Sequence, residues 1–394
     1  MILAGSQYAV IPTIKLPPET FAQPQANGPS DSKQSVDSLF KAALSEPIEF
    51  PPLSQLLFEG DKIAFVLLQH LPSQSQCLSG LFNHLLEFIT PCQIDIVTSM
   101  EIELDEQQQA SWSEKFKQRD VELNFVLHDA SDSQRHAFLA ASYTGEPIYI
   151  DRTLFDADTV IPVTSKGNTD PDGRPLVYPE FSNSQTRIRF QAAASDELRG
   201  EFRMAYEALG ICYVIEVVSG PGGEILSVSS GEHEKVANHT QQTVSSNWHV
   251  QRSEDARVVV ATVETPESGQ TWDHFFKALI AAAAASENAQ QIVVCTNIDS
   301  LPSDIHYQLL QLPFETDCEL LTQVMSSAPE IYRAIPGIFE EATIYLKSRL
   351  SESEVEDLGL GFISSDSDIQ RIVDNAESGI YLRDAHLCKV ADDV

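Results

Sequence analysis

Short apolar runs alternate with segments of helical spacing in two parts of this chain, and this alternation constrains the fold most. In the first part the predicted strands are residues 62–68, 93–97, 121–127, 147–150 and 159–164. In the second part they are residues 257–263 and 291–297, joined by a helix that Thr271 caps and that runs to about residue 285. Strands that alternate with helices are typical of βαβ units and mostly parallel sheets. We therefore predict an α/β fold of two α/β domains with an interdomain cleft.

The domain boundaries follow from where this pattern stops and restarts. We expect an N-terminal domain over residues 1–248 and a C-terminal domain over residues 249–383, with residues 384–394 packing back on the first domain. The sequence SGPGGE at 219–224 lies between two strand-like runs and predicts a hairpin turn, since glycine is favoured there. Ser351 and Glu354 form the S-x-x-E pattern of a capping box and predict the start of a short helix.

Charge and cysteine content narrow the classes of function. The 394 residues contain 58 acidic and 25 basic side chains, for a formal net charge of −33, which disfavours nucleic acid and anionic lipid as partners. No apolar run reaches the roughly 18 residues that a membrane-spanning helix requires. The six cysteines are scattered, which favours neither a zinc site nor a disulfide framework. We expect a cytoplasmic protein that binds small molecules; its oligomeric state is left open.

Several segments, taken together with their order along the chain, resemble those of a known family. They are ALSEPIEFPPLSQLL with DKIAFVLL, VLHDASD with GEPIYIDRTLFDADTVIPV, EALGICYVIEVV with GEILSVSSGEHEKVANH, ARVVVATVETPESGQTWDHFFKAL with QQIVVCTN, and the tail from residue 344 to 382. Over roughly residues 40 to 383, this order and spacing resembles the nickel-dependent lactate racemases.

The resemblance implies a specific chemistry. Proteins of this family have two α/β domains with the active site in the cleft between them. They use a nickel pincer nucleotide tethered to a lysine, which takes a hydride from a 2-hydroxy acid and returns it to either face. Two histidines act as base and acid, another histidine ligates the metal, and an arginine with a glutamine/lysine pair binds the substrate carboxylate.

Most positions that match the family's functional residues are changed here. Glu101 stands where the Gly-Thr-His-Arg motif has its histidine, and Arg174 or Pro175 stands near the tethering lysine. A guanidinium cannot replace the amine in such a tether. Lys277 is retained, and His274 occupies the position of the family's glutamine. We therefore expect no cofactor, and a nickel pincer nucleotide only if the family chemistry survives, with the tether supplied by Lys166.

The remaining polar residues at predicted strand ends and helix starts are the candidate site. Such residues also have structural interpretations. In these, His128 is a turn histidine bonded to the backbone, and Lys277 is an ion-pair partner of Asp273. A helix start such as that of 271–285 favours anions. The candidate catalytic residues are Glu101, His128 and His274; the candidate substrate-binding residues are Lys277, His274, Arg174, Lys166 and Tyr178; no metal ligand is expected.

Three functions stay open at this point. The first is a binding protein without pincer chemistry that uses the family's cleft for a small anion, such as a 2-hydroxy acid or a related carboxylate. The second is an isomerase, a racemase or epimerase of a 2-hydroxy acid that uses the nickel pincer nucleotide. The third is a different acid–base enzyme that reuses the same cleft. Whether the chain is an enzyme is left undecided.

Overall fold

The chain divides into two compact units, each with its own sheet and core. The computed structural model describes residues 14–15, 21–22, 34–68, 71–99, 106–142, 145–165, 174–192, 195–220, 224–250, 252–264, 270–311 and 335–390. The N-terminal unit comprises Pro29–Ser219 and Glu224–Val244, and the C-terminal unit comprises Met1–Gly28, Gly220–Gly223 and Ser245–Val394.

The helices and strands follow the predicted alternation. The strands are β1 (Phe21–Ala22), β2 (Lys62–Leu67), β3 (Gln93–Thr98), β4 (Glu122–Leu127), β5 (His136–Ala141), β6 (Pro147–Asp151), β7 (Thr159–Ser165), β8 (Val214–Ser219), β9 (Ile225–Gly231), β10 (His249–Val250), β11 (Val258–Thr262), β12 (Gln291–Cys295), β13 (Thr343–Lys347), β14 (Gly361–Phe362), β15 (Gly379–Leu382) and β16 (Lys389–Val390). The helices are α1 (Val36–Ser45), α2 (Gln74–Phe88), α3 (Glu106–Lys117), α4 (Arg152–Phe155), α5 (Val177–Glu180), α6 (Ser184–Ala192), α7 (Ser195–Ala208), α8 (His233–Trp248), α9 (Trp272–Ala285), α10 (Asp304–Gln311), α11 (Ile335–Glu341), α12 (Glu352–Asp357) and α13 (Asp366–Asp374).

The N-terminal unit is built on a six-stranded sheet in the order β4-β3-β2-β7-β8-β9. All pairs are parallel except β8 with β9, which are antiparallel, so the predicted turn at 219–224 does join a hairpin. Alternate residues of a strand face opposite sides of a sheet, and both sides are apolar here. Ile63 and Phe65 face the core that α1, α2 and α3 cover, whereas Ala64 and Val66 face the core on the other side.

The C-terminal unit is built on a six-stranded parallel sheet in the order β1-β15-β11-β12-β13-β14. Val259 and Ala261 of β11 pack under α9, whereas Val258 and Val260 pack on the opposite side with α13. Continuous apolar strands are expected where both faces of a parallel sheet are covered. The α/β class with mostly parallel sheets, predicted from the sequence, is thus confirmed.

The predicted strand at 147–150 exists but lies outside the main sheet. It forms β6, which pairs antiparallel with β5 in a separate ribbon. Ser142 closes the turn between them, with its N–H donating to the carbonyl of Glu146 at 2.7 Å. Strand β5 was missed by the sequence pattern, because its apolar residues follow a polar 3₁₀ turn without a clear period.

The division into units corrects the expected boundaries at both ends of the chain. Phe21–Ala22 pairs with β15, and Ile14 is buried beside Ile369 and Val373, so these described N-terminal residues belong to the C-terminal unit. The described end of the chain also belongs to the C-terminal unit. Ala385 lies in the core of the C-terminal unit. Such pairings depend on contacts between distant segments, which no local pattern encodes.

Two helix starts that the sequence predicts are confirmed by the structure. Thr271 is the N-cap of α9, which ends at Ala285 as expected. Ser351 and Glu354 form the predicted capping box of α12. Over the described ranges, none of the helices combines the length and apolar character needed to cross a bilayer.

Candidate functional site

The carboxyl edge of the C-terminal sheet contains a point where the strand order reverses. From β11 the chain proceeds through β12 and β13 to β14 in one direction, whereas β15 lies on the other side of β11. In open α/β sheets, ligands bind in the crevice at such a switch point. The helix that begins above this point is α9, which follows β11.

A buried polar network ties the ends of β11 and β15 together at this point. Glu264 is 6% exposed and accepts a hydrogen bond from Nε of Arg383 at 2.9 Å. The backbone N–H of Glu264 donates to the Asp384 carboxylate at 2.7 Å, and the hydroxyl of Thr262 donates to the Glu264 carboxylate at 2.8 Å. The network therefore holds the segment after β15 in register with the end of β11.

The first turn of α9 is held by side-chain hydrogen bonds. The buried amide of Gln270 donates to the carbonyl of Val263 at 2.8 Å and accepts the N–H of Asn297 at 2.6 Å. The N–H of Thr271 donates to Nδ1 of His274 at 3.0 Å, which closes a capping box. Because Nδ1 of His274 accepts, its ring carries the proton on Nε2 in the neutral form.

Two imidazoles meet above this turn. The rings of His274 and His386 stand edge to face with centroids 5.2 Å apart. Nδ1 of His386 is buried and has no hydrogen-bond partner. Burial, and then the positive charges of His274 and Lys277, lower the pKa of His386 to about 3. Burial and Lys277 also lower the pKa of His274.

Lys277 lies one turn along α9 from His274 and is exposed. The alternative Asp273–Lys277 ion pair is not formed, because the Asp273 carboxylate lies 3.2 Å from Nε2 of His306 instead. Within the part of the chain that the structure describes, Lys277 has no ion pair. We call His274, Lys277 and His386 the α9 site; it combines an unpaired cation, a helix N-terminus and a buried imidazole nitrogen.

In the N-terminal unit, the strand order reverses between β2 and β7, but part of that edge is outside the described residues. Two of the predicted site residues, Glu101 and Lys166, lie in segments that are not described. Their assigned roles therefore stay predictions.

His128 is buried in a hydrogen-bonded pair with Asp151. Its Nδ1 lies 2.8 Å from the Asp151 carboxylate, and its Nε2 lies 3.2 Å from the carbonyl of Ser182. Both ring nitrogens of His128 therefore have a polar partner inside the fold. Asp151 also accepts the N–H of Thr153 and caps α4. Although burial opposes it, the His128 hydrogen bond keeps the pKa of Asp151 below its usual value. The contact with the Ser182 carbonyl agrees with the structural interpretation of His128, and its catalytic role stays a prediction.

Tyr178 is also directed into the core. It is 1% exposed, and its hydroxyl donates to Glu201, which Nη1 of Arg189 contacts at 2.8 Å. Burial and the Glu201 hydrogen bond raise the pKa of Tyr178. The structure thus directs Tyr178 into the core, and its expected ligand contact stays a prediction. Arg174 is half-buried.

Two buried polar groups beside the carboxyl edge of the N-terminal sheet were not singled out from the sequence. Gln74, the first residue of α2, is completely buried, and neither polar atom of its amide has a hydrogen-bond partner among the described residues. The buried hydroxyl of Ser99, directly after β3, also lacks a partner among them. No sequence signal separates these two from ordinary loop residues. His386 was also not singled out, and the only available signal was its place four residues after β15.

Comparison with known proteins shows a similarity in one part of the chain and in the fold. Residues 11–165 match the lactate racemase N-terminal domain. This part of the chain is therefore lactate-racemase-like. The fold is similar to that of the lactate racemase apoprotein from Thermoanaerobacterium thermosaccharolyticum, with 17% identity, a TM-score of 0.61, and coverage of 96% of this chain and 97% of that one. A protein of Thermotoga maritima is also similar, with 13% identity, a TM-score of 0.55, and coverage of 92% and 100%. No curated protein matches the chain.

The lactate racemase family implies a nickel pincer nucleotide, and the described residues of this lactate-racemase-like chain do not supply the groups to hold it. No cluster of three or more potential metal ligands occurs within them. Both ring nitrogens of His128 are already bonded. Arg174 and Pro175 stand near the position of the tethering lysine. Lys166, the remaining lysine of that loop, lies outside the described residues.

Proposed function

We propose that this lactate-racemase-like protein binds a small carboxylate anion, a 2-hydroxy acid or a related compound, at the α9 site. The observation that carries the proposal is the exposed Lys277, which forms no ion pair with any described residue and lies with two imidazoles at the start of α9. An exposed lysine in a chain with 58 acidic and 25 basic residues is a favourable point for an anion.

Three contributions favour an anion at the α9 site. The N-terminus of α9, a 14-residue helix, carries a partial positive charge. Lys277 adds a full charge, and Nε2–H of His274 adds a neutral donor. The positive charge of Lys277 also contributes to the lowered pKa of His386, so a bound anion would offset that charge.

The binding test uses calorimetric titration of the full chain with L-lactate, D-lactate and glycolate. We expect one saturable site, with affinity reduced about tenfold or more in Lys277→Met, which corresponds to roughly 1.4 kcal/mol. Lys15→Met is the matched control, since Lys15 is exposed in the same unit, and its neighbour Ile14 packs on the sheet face opposite α9. Equal affinity of Lys277→Met and wild type for every anion that binds would refute the proposal.

A second candidate function, racemisation or epimerisation of a 2-hydroxy acid with the nickel pincer nucleotide, is favoured by the family match alone. It requires a tether from Lys166. The test is the intact mass and the nickel content of protein produced together with the enzymes that make the cofactor. A nucleotide-sized adduct with near-stoichiometric nickel, lost in Lys166→Arg, would support it. An unmodified mass without nickel would exclude it.

The setting and partners of the protein are part of the same proposal. We infer a cytoplasmic protein that takes a small-molecule ligand and binds neither nucleic acid nor membrane. The large negative charge argues against nucleic acid and membrane as partners. The absence of disulfides among the five described cysteines supports the cytoplasmic location.

A further inference from the structure

The N-terminal unit contains a polar cavity at the opposite edge of its sheet. The cavity has a volume of about 410 Å³ and is lined by the starts of β2, β3 and β4, together with residues of the β5–β6 ribbon and α4. Lys62 and Gln93, the first residues of β2 and β3, line it, so it lies at the amino ends of the strands. It is therefore separate from the carboxyl edge, where Gln74 and Ser99 lie, and from the α9 site.

The floor of this cavity is a buried carboxylate without a cationic partner. Asp95, in the middle of the apolar strand β3, is 6% exposed. Its carboxylate accepts amide hydrogen bonds from Gln93 and Asn124, each at 2.9 Å. It forms no ion pair with any residue that the structure describes. A buried carboxylate is costly unless it is paired, and two neutral amides leave part of its acceptor capacity open.

The wall and rim of the cavity carry three cations that are also unpaired. Lys62, Arg135 and Arg152 line it, and within the described ranges none of them forms an ion pair. Arg152 makes one long hydrogen bond, at 3.5 Å, to the carbonyl of His136. Bases are outnumbered by more than two to one in this chain. Three of them on one cavity are therefore a specific feature, although Asp151, which is bonded to His128, and Asp156 line the cavity as well.

We propose that this cavity binds an amino-acid-like zwitterion, with its ammonium group on Asp95 and its carboxylate between Arg135 and Arg152. A simple anion would leave Asp95 buried and unpaired, and a simple cation would meet three positive side chains. A zwitterion complements both charges. The volume is within the range of small-molecule sites and leaves room for a side chain.

The experiment is calorimetric titration of the full chain with each of the common amino acids. The best binder is then compared with its N-acetyl derivative, which lacks the ammonium group, and with its amide, which lacks the carboxylate. We expect one saturable site for the amino acid and at least tenfold weaker binding of both derivatives. Asp95→Asn and Arg152→Met should each weaken binding about tenfold or more.

Arg119→Met is the matched control, because Arg119 is exposed in the same unit and does not line the cavity. Its affinity should stay within twofold of wild type. Arg152 is exposed, so Arg152→Met keeps the test decisive even if Asp95→Asn fails to fold. No binding by any amino acid at millimolar concentration would overturn the proposal. Equal binding of the N-acetyl derivative, or unchanged affinity in Arg152→Met, would overturn it too.

Discussion

His386 shows how a single residue acquires its properties from segments far away in the chain. Alone it would titrate near neutral pH. In the fold it lies against His274, near Lys277, with Nδ1 buried and unpartnered. Burial and the two neighbouring positive charges lower its pKa to about 3. The residue is therefore kept neutral at a position where an anion would favour its charged form.

This lowered pKa predicts a pH dependence of stability. Between about pH 6.5 and pH 3, the unfolded chain takes up a proton at His386 that the folded chain does not, so stability falls as the pH falls through this window. At pH 5 the loss reaches up to about 2 kcal/mol relative to pH 8. Urea unfolding at both pH values should show a larger loss for wild type than for His386→Gln. An equal loss in the two proteins would contradict the expectation.

At the scale of elements, strand β9 depends on a close backbone contact that only glycine permits. Ile48, just after α1, forms a bridge to Gly231 at the end of β9, and its N–H donates to the carbonyl of Ser230 at 2.7 Å. Gly231 has a φ of 132°, and a Cβ there would lie 2.2 Å from the carbonyl oxygen of Ile48. The bridge therefore fixes the segment after α1 to the edge of the N-terminal sheet.

Gly231→Ala should consequently lower the free energy of unfolding by about 2 kcal/mol or more, since the backbone of Ile48 must move and the φ is unfavourable. Gly60→Ala is the control for the φ effect alone: Gly60 has a φ of 86°, and its Cβ would meet no atom within 4 Å. We expect it to cost about 1 kcal/mol. Urea unfolding measures both, and equal costs would show that the Ile48 contact is unimportant.

The sequence predicted most elements but only part of the candidate site. Helix α9 was placed correctly, because Thr271 is a good cap and the apolar spacing is helical. His274 and Lys277 were found with it, since they share a helix face. Strand β5 was missed, because its residues lack a regular period. The burial of His128 and Tyr178 was not foreseen, since burial cannot be deduced from a loop sequence, and their site roles stay predictions.

At the scale of the whole molecule, each unit has its own sheet and its own apolar core. The cores on the two faces of the N-terminal sheet draw only on residues of the N-terminal unit. The C-terminal unit, in contrast, includes Ile14 and β1 from the start of the chain. A continuous fragment of the chain can therefore contain the whole N-terminal sheet. A fragment that begins at residue 245, in contrast, lacks β1 of the C-terminal sheet.

We expect a fragment of residues 29–244 to fold alone, because it contains every strand of the N-terminal sheet. It should show one cooperative urea transition. A fragment of residues 245–394 lacks Ile14 and β1, so it should unfold at lower urea concentration than the C-terminal transition of the full chain. Non-cooperative unfolding of the first fragment would contradict this description of the units.

The sequence by itself determined the type and order of most elements, the helix caps and the strongly acidic character of the chain, because these depend on neighbouring residues and on composition. Only the tertiary structure brought His386 to His274, paired β1 with β15, and placed three cations around Asp95. These contacts join segments far apart in the chain. They result from sheet order and packing, in which many residues act together, so no local pattern reports them.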